Sequence, residues 1–307
     1  MISISTLLNP PEGLTISEIL LISVILGMLH GATPDEHTWP ITFSYAIGKY
    51  SSKGGMKAGF LFSLGFTIQR AFLTTIGFIG LAAIYEKYNL DGPVYTIVGI
   101  VMAIAGSYIL KGRYLHLPID VLFKSKYHNT KTTGAELHDV PLKMTIVHGL
   151  IAGFGFGAYA SIITFVLAPQ LPSIVYAPLP GLMFGIGTMI MQIIFGAIFG
   201  NILRAKKLTE EKISYVARKT AGRTLYYGGL VFTIVGLLII GFPIIDNFAI
   251  STGNPIPNLD AIDIGFLLVI SVVGIIGISS IILGIKEATR LSGTNQKPGS
   301  LSGYKKS

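Results

Sequence analysis

Residues 29–40 of this chain read LHGATPDEHTWP, and they decide how the rest of the sequence is interpreted. The stretch places two imidazoles and two carboxylates between two apolar runs, residues 16–29 and 41–48. Ionisable side chains at bilayer depth cost roughly 2.5–3.5 kcal/mol each, so a cluster there indicates a functional site. Gly31 and Pro34 can break a helix and expose backbone carbonyl groups between the two histidines. The pattern therefore predicts a helix that is interrupted where its polar side chains lie.

The composition of the whole chain indicates an integral membrane protein. Of the 307 residues, 51% are hydrophobic and 12% are charged, whereas a soluble domain carries about 25% charged residues. The 37 glycines suit close helix packing in lipid. The formal net charge of +8 arises from Lys and Arg between apolar runs, so it does not indicate nucleic-acid binding. The absence of cysteine excludes thiol redox chemistry, a disulfide framework and a Cys-based zinc site.

Apolar windows of about 20 residues predict seven membrane spans. Every second connection is rich in Lys and Arg, which by the positive-inside rule predicts a multi-pass protein of the plasma membrane with its N-terminus outside and its C-terminus in the cytoplasm. The basic segments are residues 49–57, 111–143, 204–223 and the tail from residue 286, and the other connections are 85–92, 169–178 and 246–261. The predicted spans are 16–48, 56–84, 93–110, 144–168, 179–203, 224–245 and 262–285.

Two parts of the chain, about 16–112 and 143–246, contain similar motifs in the same order. Each part has three predicted spans, so two copies would be inserted in opposite directions, an arrangement typical of transporters. The sequence thus predicts a single transmembrane domain: an all-α polytopic helix bundle with an inverted 3+3 repeat and one extra helix at 262–285. The similar motifs are LHG at 29–31 with VHG at 147–149, ITF at 41–43 with ITF at 163–165, FxxG at 62–65 with FxxG at 184–187, and Gly99 and Gly106 with Gly229 and Gly236.

The candidate metal ligands are His30, Asp35, Glu36 and His37, joined by His148 from the second half. On an unbroken helix His30 and His37 would lie about 10.5 Å apart, whereas a metal–ligand bond is about 2.0–2.2 Å long. Binding of one ion by both imidazoles therefore requires unwinding between residues 31 and 34. Imidazoles combined with carboxylates suit Ni(II), Co(II) or Zn(II). Because a proton competes with the metal for the same imidazole, coupling to protons is expected to make transport depend on pH.

Other polar residues have both a structural and a functional interpretation. The ionisable groups of residues 30–37 could simply bond to one another and to Arg70 and hold a kinked helix. Buried glutamine usually serves as interhelical glue. The loop histidines at 116, 128 and 138 have spacings typical of ordinary loop residues. The candidates along a substrate path are Arg70, Gln69, Gln192 and Thr188.

The segment His30-x4-Asp35-Glu36-His37 resembles the His-x4-Asp-His signature of the nickel/cobalt transporters. The stretch FSLG at 62–65 looks like the Ser-Leu-Gly-His stretch of that family. Residues 184–188 and 221–223 resemble the related sulfite-exporter-like and cytochrome-biogenesis-like membrane proteins, so the likeness covers roughly residues 25–240. The sequence differs from the signature by Glu36, which is inserted before His37, and by Phe66, which stands where the family has a histidine. The resemblance implies movement of Ni(II) or Co(II) across the membrane through a helical bundle.

The expected function is transport of a divalent transition-metal ion such as nickel or cobalt. The metal is then a substrate, the chain is not an enzyme, and no permanently bound cofactor or nucleic-acid partner is expected. Its partner is the lipid bilayer. Transport direction, coupling ion and oligomeric state are left open by the sequence.

Two alternatives use the same residues differently. The first is transport of a small anion with Arg70 as its contact. The second is an intramembrane hydrolase in which an acid beside a histidine activates zinc-bound water, but the chain has no His-Glu-x-x-His motif. A retinal protein is excluded because residues 262–285 contain no lysine.

Overall fold

The computed structural model describes residues 4–80, 90–112, 142–155, 157–206 and 208–294. These residues are mostly helical. Short π-helical or 3-10 turns extend several helices, and strands β1 (Ala249–Ser251) and β2 (Ala261–Asp263) form a small antiparallel hairpin. In chain order the helices are α1 (Ile4–Leu8), α2 (Ile16–Ala32), α3 (Trp39–Gly48), α4 (Ser52–Phe78), α5 (Asp91–Leu110), α6 (Lys143–Ala152), α7 (Ala158–Ser161), α8 (Leu179–Asn201), α9 (Glu210–Gly241), α10 (Ile264–Val269) and α11 (Ile278–Thr294).

Five helical segments of the described chain are long and apolar enough to cross a membrane. They are α4, α5, α8 with its 3-10 extension, α9, and the continuous helix from α10 to α11. This agrees with the predicted all-α membrane bundle. The helix predicted at 224–245 is longer toward its N-terminus, because the side chain of Thr209 caps α9 at Glu210. The predicted connections around residues 85–89 and 113–141, with the loop histidines, lie outside the described residues.

The predicted span at 16–48 is divided into α2 and α3. Helix α2 begins with a capping box in which Thr15 and Glu18 bond to each other's backbone, and it ends at Ala32. Thr33 is extended, and Pro34 cannot continue the helix because it lacks a backbone N–H. Helix α3 starts at Trp39 with a proline in its first turn. The interruption covers residues 33–38, so the unwinding predicted between residues 31 and 34 occurs at Thr33 and Pro34, while Gly31 is still helical.

The predicted span at 144–168 is also divided, which the sequence analysis did not anticipate. Helix α6 ends at Ala152, α7 begins at Ala158, and a π-helical turn at Ile162–Leu167 continues α7. Gly153, Gly155 and Gly157 lie in the interruption. Glycine weakens a helix by about 1 kcal/mol relative to alanine, so three of them in five positions explain the break.

Glycines bring helices from the two halves of the chain into backbone contact. A Cβ atom at Gly27 of α2 would overlap the backbone carbonyl of Phe184 in α8. A Cβ atom at Gly149 of α6 would overlap the carbonyl of Phe62 in α4 in the same way. Gly149 and Phe184 each stand 122 positions after Gly27 and Phe62, so the two contacts are reciprocal.

The next contacts along these helices give their directions. Gly31 of α2 lies against Thr188 of α8, so these helices run parallel. Gly153, directly after α6, lies against Gln69 of α4, so α6 and α4 also run parallel.

Helices α4 and α8 are antiparallel, because Gly59 contacts Gln192 and Gly181 contacts Arg70. Helices α2 and α6 therefore run in opposite directions. The third and sixth predicted spans meet in a similar manner, since Gly99 of α5 and Gly229 of α9 lie against each other's backbone.

Candidate metal centre

Asp35, Glu36 and His37 form the candidate centre in the turn between α2 and α3. Each offers one donor atom, and these atoms lie within 4.8 Å of one another. The backbone N–H of His37 donates to Asp35 Oδ1 at 3.0 Å, which closes the turn. The side chains of Asp35 and His37 are buried in the bundle. The interruption of the helix is thus what lets three consecutive side chains share one small volume.

His30 approaches this group from the last turn of α2. Its Nδ1 lies 3.4 Å from Asp35 Oδ2. The ring stacks on Phe66 with a centroid distance of 5.4 Å and lies 5.2 Å from the ring of Phe184. The two predicted ligands His30 and Asp35 are therefore in contact, and Phe66 forms one wall of the imidazole pocket.

His37 and Glu36 form a second imidazole–carboxylate pair. His37 Nδ1 lies 2.8 Å from Glu36 Oε1. The hydroxyl of Tyr95 in α5 donates to the same oxygen at 3.1 Å, and its ring packs 5.3 Å from the His37 ring. The sequence analysis did not predict a role for Tyr95. The available signal was a tyrosine hydroxyl near the start of a predicted span.

The Nε2 atoms of His30 and His37 are buried and, like Nε2 of His148, have no hydrogen-bond partner among the residues that the structure describes. In both the His30 and the His37 ring, Nδ1 lies near a carboxylate oxygen. An imidazole that donates its N–H from one nitrogen keeps a lone pair on the other, which is the form that binds a metal.

His148 lies elsewhere on α6. Its Nδ1 is 2.8 Å from the backbone carbonyl of Met144 and 3.4 Å from the hydroxyl of Tyr45. The group of donor atoms within 4.8 Å of one another contains neither His148 nor His30. His30 contacts Asp35, whereas the contacts of His148 are with Met144 and Tyr45, and its role as a ligand stays a prediction.

Arg70 connects α4 to the second helix interruption. Its Nη2 donates to the carbonyl of Gly155 at 2.6 Å, and its guanidinium lies 4.8 Å from the centroid of the Phe66 ring. The side chain is almost fully buried. The aromatic face and the carbonyl both stabilise the positive charge.

The remaining predicted path residues bond to the helix backbone. Gln192 Nε2 donates to the carbonyl of Gly31 at 3.3 Å. The hydroxyl of Thr188 donates at 3.1 Å to the carbonyls of Gly27 and Phe184. The Gln69 side chain occupies the space beside Gly153. These contacts fit the interpretation of polar side chains as interhelical glue.

The tip of the segment between β1 and β2 contacts both interrupted helices. Asn258 Nδ2 donates to Thr33 Oγ1 at 3.2 Å, and the hydroxyl of Tyr159 in α7 donates to the carbonyl of Pro257 at 3.1 Å. These residues were not predicted, because no pattern in the sequence relates them to residues 30–37.

Asp263 ends the hairpin and caps α10 by accepting from the backbone N–H of Phe266 at 2.7 Å. Burial raises the pKa of the Asp263 carboxyl, the Phe266 hydrogen bond opposes this, and the negative charge of Glu36 raises the pKa further. The hairpin thus brings an additional acid toward the centre.

Comparison with known proteins adds no relative to this description. No family model, curated protein or solved structure matches the chain. The likeness to nickel/cobalt transporters stays a prediction.

Proposed function

We propose that the protein is a membrane transporter of a divalent transition-metal ion, with nickel or cobalt as the expected substrate. The substrate is taken up at the break between α2 and α3 by His30, Asp35 and His37, with Glu36 in the same group. One observation carries the proposal: three consecutive side chains on irregular backbone hold their donor atoms within 4.8 Å of one another.

The chemistry of the donors supports a transition metal. Imidazole nitrogen combined with carboxylate oxygen suits ions such as Ni(II) and Co(II), whereas a site of oxygen atoms alone suits magnesium or calcium. The group lies in a break between two apolar helices, where transporters build their substrate sites. The side chains of His30, Asp35 and His37 are buried, as expected of a substrate site that is closed to both sides.

An inverted repeat is part of the proposal. It is supported by the reciprocal glycine contacts and by the opposite directions of α2 and α6. The offset of 122 residues makes Arg70 equivalent to Gln192 and His148 equivalent to Leu26. His30 and His148, which are 118 positions apart, are then not equivalent despite their similar surroundings in the sequence. The positions equivalent to residues 35–37 are 157–159, which are Gly, Ala and Tyr and offer neither a carboxylate nor an imidazole.

Seven spans follow if the two interrupted helices are counted with the five continuous ones. Segments α2–α3 and α6–α7 then each cross the bilayer once. We infer from the loop charges that the protein resides in the plasma membrane, with an external N-terminus and a cytoplasmic C-terminus.

Titration calorimetry of the purified protein with Ni²⁺ and Co²⁺ tests the proposal. The variant His37→Ala should bind more than about 100-fold more weakly, since loss of a ligand costs more than the 10–100-fold of a lost outer partner. His128→Ala, which changes a histidine of the basic segment 111–143, is the matched control and should bind as the unmodified chain does. Equal heats for His37→Ala and the unmodified chain would remove the metal hypothesis.

A further inference from the structure

We propose that His37 binds the metal through Nε2 and that Glu36, held by Tyr95, positions the imidazole rather than serving as a ligand. This inference rests on the proposed function and assigns separate roles to two neighbouring side chains of the same site.

The carboxylate of Glu36 is already engaged by the protein. Its Oε1 lies 2.8 Å from His37 Nδ1 and accepts a hydrogen bond from Tyr95 at 3.1 Å. Its Oε2 faces the backbone of Gly265, where a Cβ atom would lie only 2.6 Å away. A metal bond to Glu36 would have to compete with these contacts. The carboxylate is therefore placed to accept from an imidazole N–H.

The second ring nitrogen of His37 is not used by the protein. Nε2 is buried and has no hydrogen-bond partner in the described part of the chain. The ring packs against Gly155 in the second helix interruption, where a Cβ atom would lie only 2.1–2.5 Å from the ring atoms Nε2, Cε1 and Cδ2. The ring can therefore occupy this position only because residue 155 has no side chain.

The pairing of the His37 ring with the Glu36 carboxylate is an arrangement that is common at metal sites. A histidine that binds a metal through one nitrogen almost always donates its other N–H to a carboxylate, a carbonyl or water. Such a partner selects the tautomer and holds the ring in place. His37 has this arrangement, with Nδ1 toward Glu36, Nε2 open, and the ring of Tyr95 against its face.

The role of Glu36 is tested by calorimetry with Zn²⁺ on the full chain and its variants. Glu36→Gln should weaken binding by about 10–100-fold. Tyr95→Phe should weaken it by about fivefold, because it removes one hydrogen bond to the carboxylate. Tyr215→Phe is the matched control, since the hydroxyl of Tyr215 also donates to a glutamate, Glu287, at 3.1 Å, and it should leave affinity unchanged.

Substitution at Gly155 tests whether the His37 ring must keep this position. Gly155→Ala should abolish Zn²⁺ binding, because the added methyl group would overlap the His37 ring and displace it. Gly157→Ala is its control, since nothing lies within 4 Å of a Cβ atom at that position. Equal affinity of the two glycine variants would show that binding does not depend on the position of the ring, and would overturn the assignment of His37 as the ligand.

Nitrogen NMR of ¹⁵N-histidine-labelled protein identifies which nitrogen of His37 binds the metal. If Glu36 served only the fold, its replacement would not change which nitrogen carries the proton. On addition of Zn²⁺, the His37 Nε2 resonance should move while Nδ1 keeps its proton. A metal-induced shift at Nδ1 would overturn the proposal. A loss of Zn²⁺ affinity in Glu36→Gln as large as that in His37→Ala would also overturn it, and so would an unchanged affinity in Glu36→Gln. Failure of the unmodified chain to bind any divalent metal would instead refute the proposed function, and this inference with it.

Discussion

The guanidinium of Arg70 shows how a buried charge can serve the fold at this centre. It donates to the carbonyl of Gly155, directly opposite the His37 ring in the second interruption. A carbonyl at a helix interruption has no helical partner and needs another donor. The guanidinium meets this need, so Arg70 determines the position of the backbone that His37 faces.

Replacement of Arg70 by glutamine should destabilise the protein, but the protein should still bind metal. Loss of the donor leaves the Gly155 carbonyl without this bond, at a cost of about 1–3 kcal/mol. Thermal unfolding in detergent measures the loss of stability, and calorimetry with Ni²⁺ measures the affinity for the metal. The control is Arg204→Gln, because Arg204 pairs with Glu210 at the exposed surface, where such pairs contribute about 0–1 kcal/mol. Anion uptake that requires Arg70 but not His37 would favour the anion transporter instead.

At the scale of elements, the glycine contacts decide which helices meet. Gly27 and Gly149 lie at equivalent places in α2 and α6, each against a carbonyl of the facing helix. Small residues at such points allow two backbones to approach closely in lipid. The two contacts should therefore respond alike to the same substitution.

The variants Gly27→Ala and Gly149→Ala are each expected to lower the free energy of unfolding by about 1–3 kcal/mol, since the added methyl group forces the helices apart. Unfolding in detergent with a chemical denaturant measures the change. Gly274→Ala serves as the control, because a Cβ atom there meets only an ordinary contact at 3.9 Å. Full stability of either Gly27→Ala or Gly149→Ala would contradict the reciprocal packing.

The hairpin that follows α9 is tied to the centre by its tip. Removal of the Asn258 amide in Asn258→Ala should increase opening of residues 249–263 by about fivefold, which corresponds to one hydrogen bond of about 1 kcal/mol. Hydrogen exchange of this segment measures the opening. Asn247→Ala, at an exposed position before β1, should leave the exchange unchanged. Equal exchange in both variants would show that the contact with Thr33 does not hold the hairpin.

The arrangement of the whole molecule in the membrane can be tested because the chain has no cysteine. Single cysteines at Asn254 and Glu211 occupy exposed positions in segments predicted on opposite sides. A membrane-impermeant maleimide should label Asn254→Cys in intact cells and Glu211→Cys only after permeabilisation. The reverse pattern would contradict the orientation inferred from loop charge.

Several properties of this protein follow from local sequence. The apolar composition leads to membrane helices, since hydropathy depends on residues within one window. The interruption after Ala32 follows from Thr33 and Pro34, whose backbone preferences act on their immediate neighbours. Asp35, Glu36 and His37 are consecutive, so an interruption at this point brings them together without help from distant residues.

The tertiary structure decided what these residues contact. Tyr95 and Gly155 lie far from His37 in the chain and reach it only because α5 and the second interruption pack around the first. The partner of Arg70 could not be inferred either, because a buried guanidinium accepts any nearby carboxylate or carbonyl. His148 was expected beside His30 from a shared short motif, but its position depends on how α6 packs on α4. Local preferences determined the elements of the site, and helix packing over long sequence separations determined its walls and its partners.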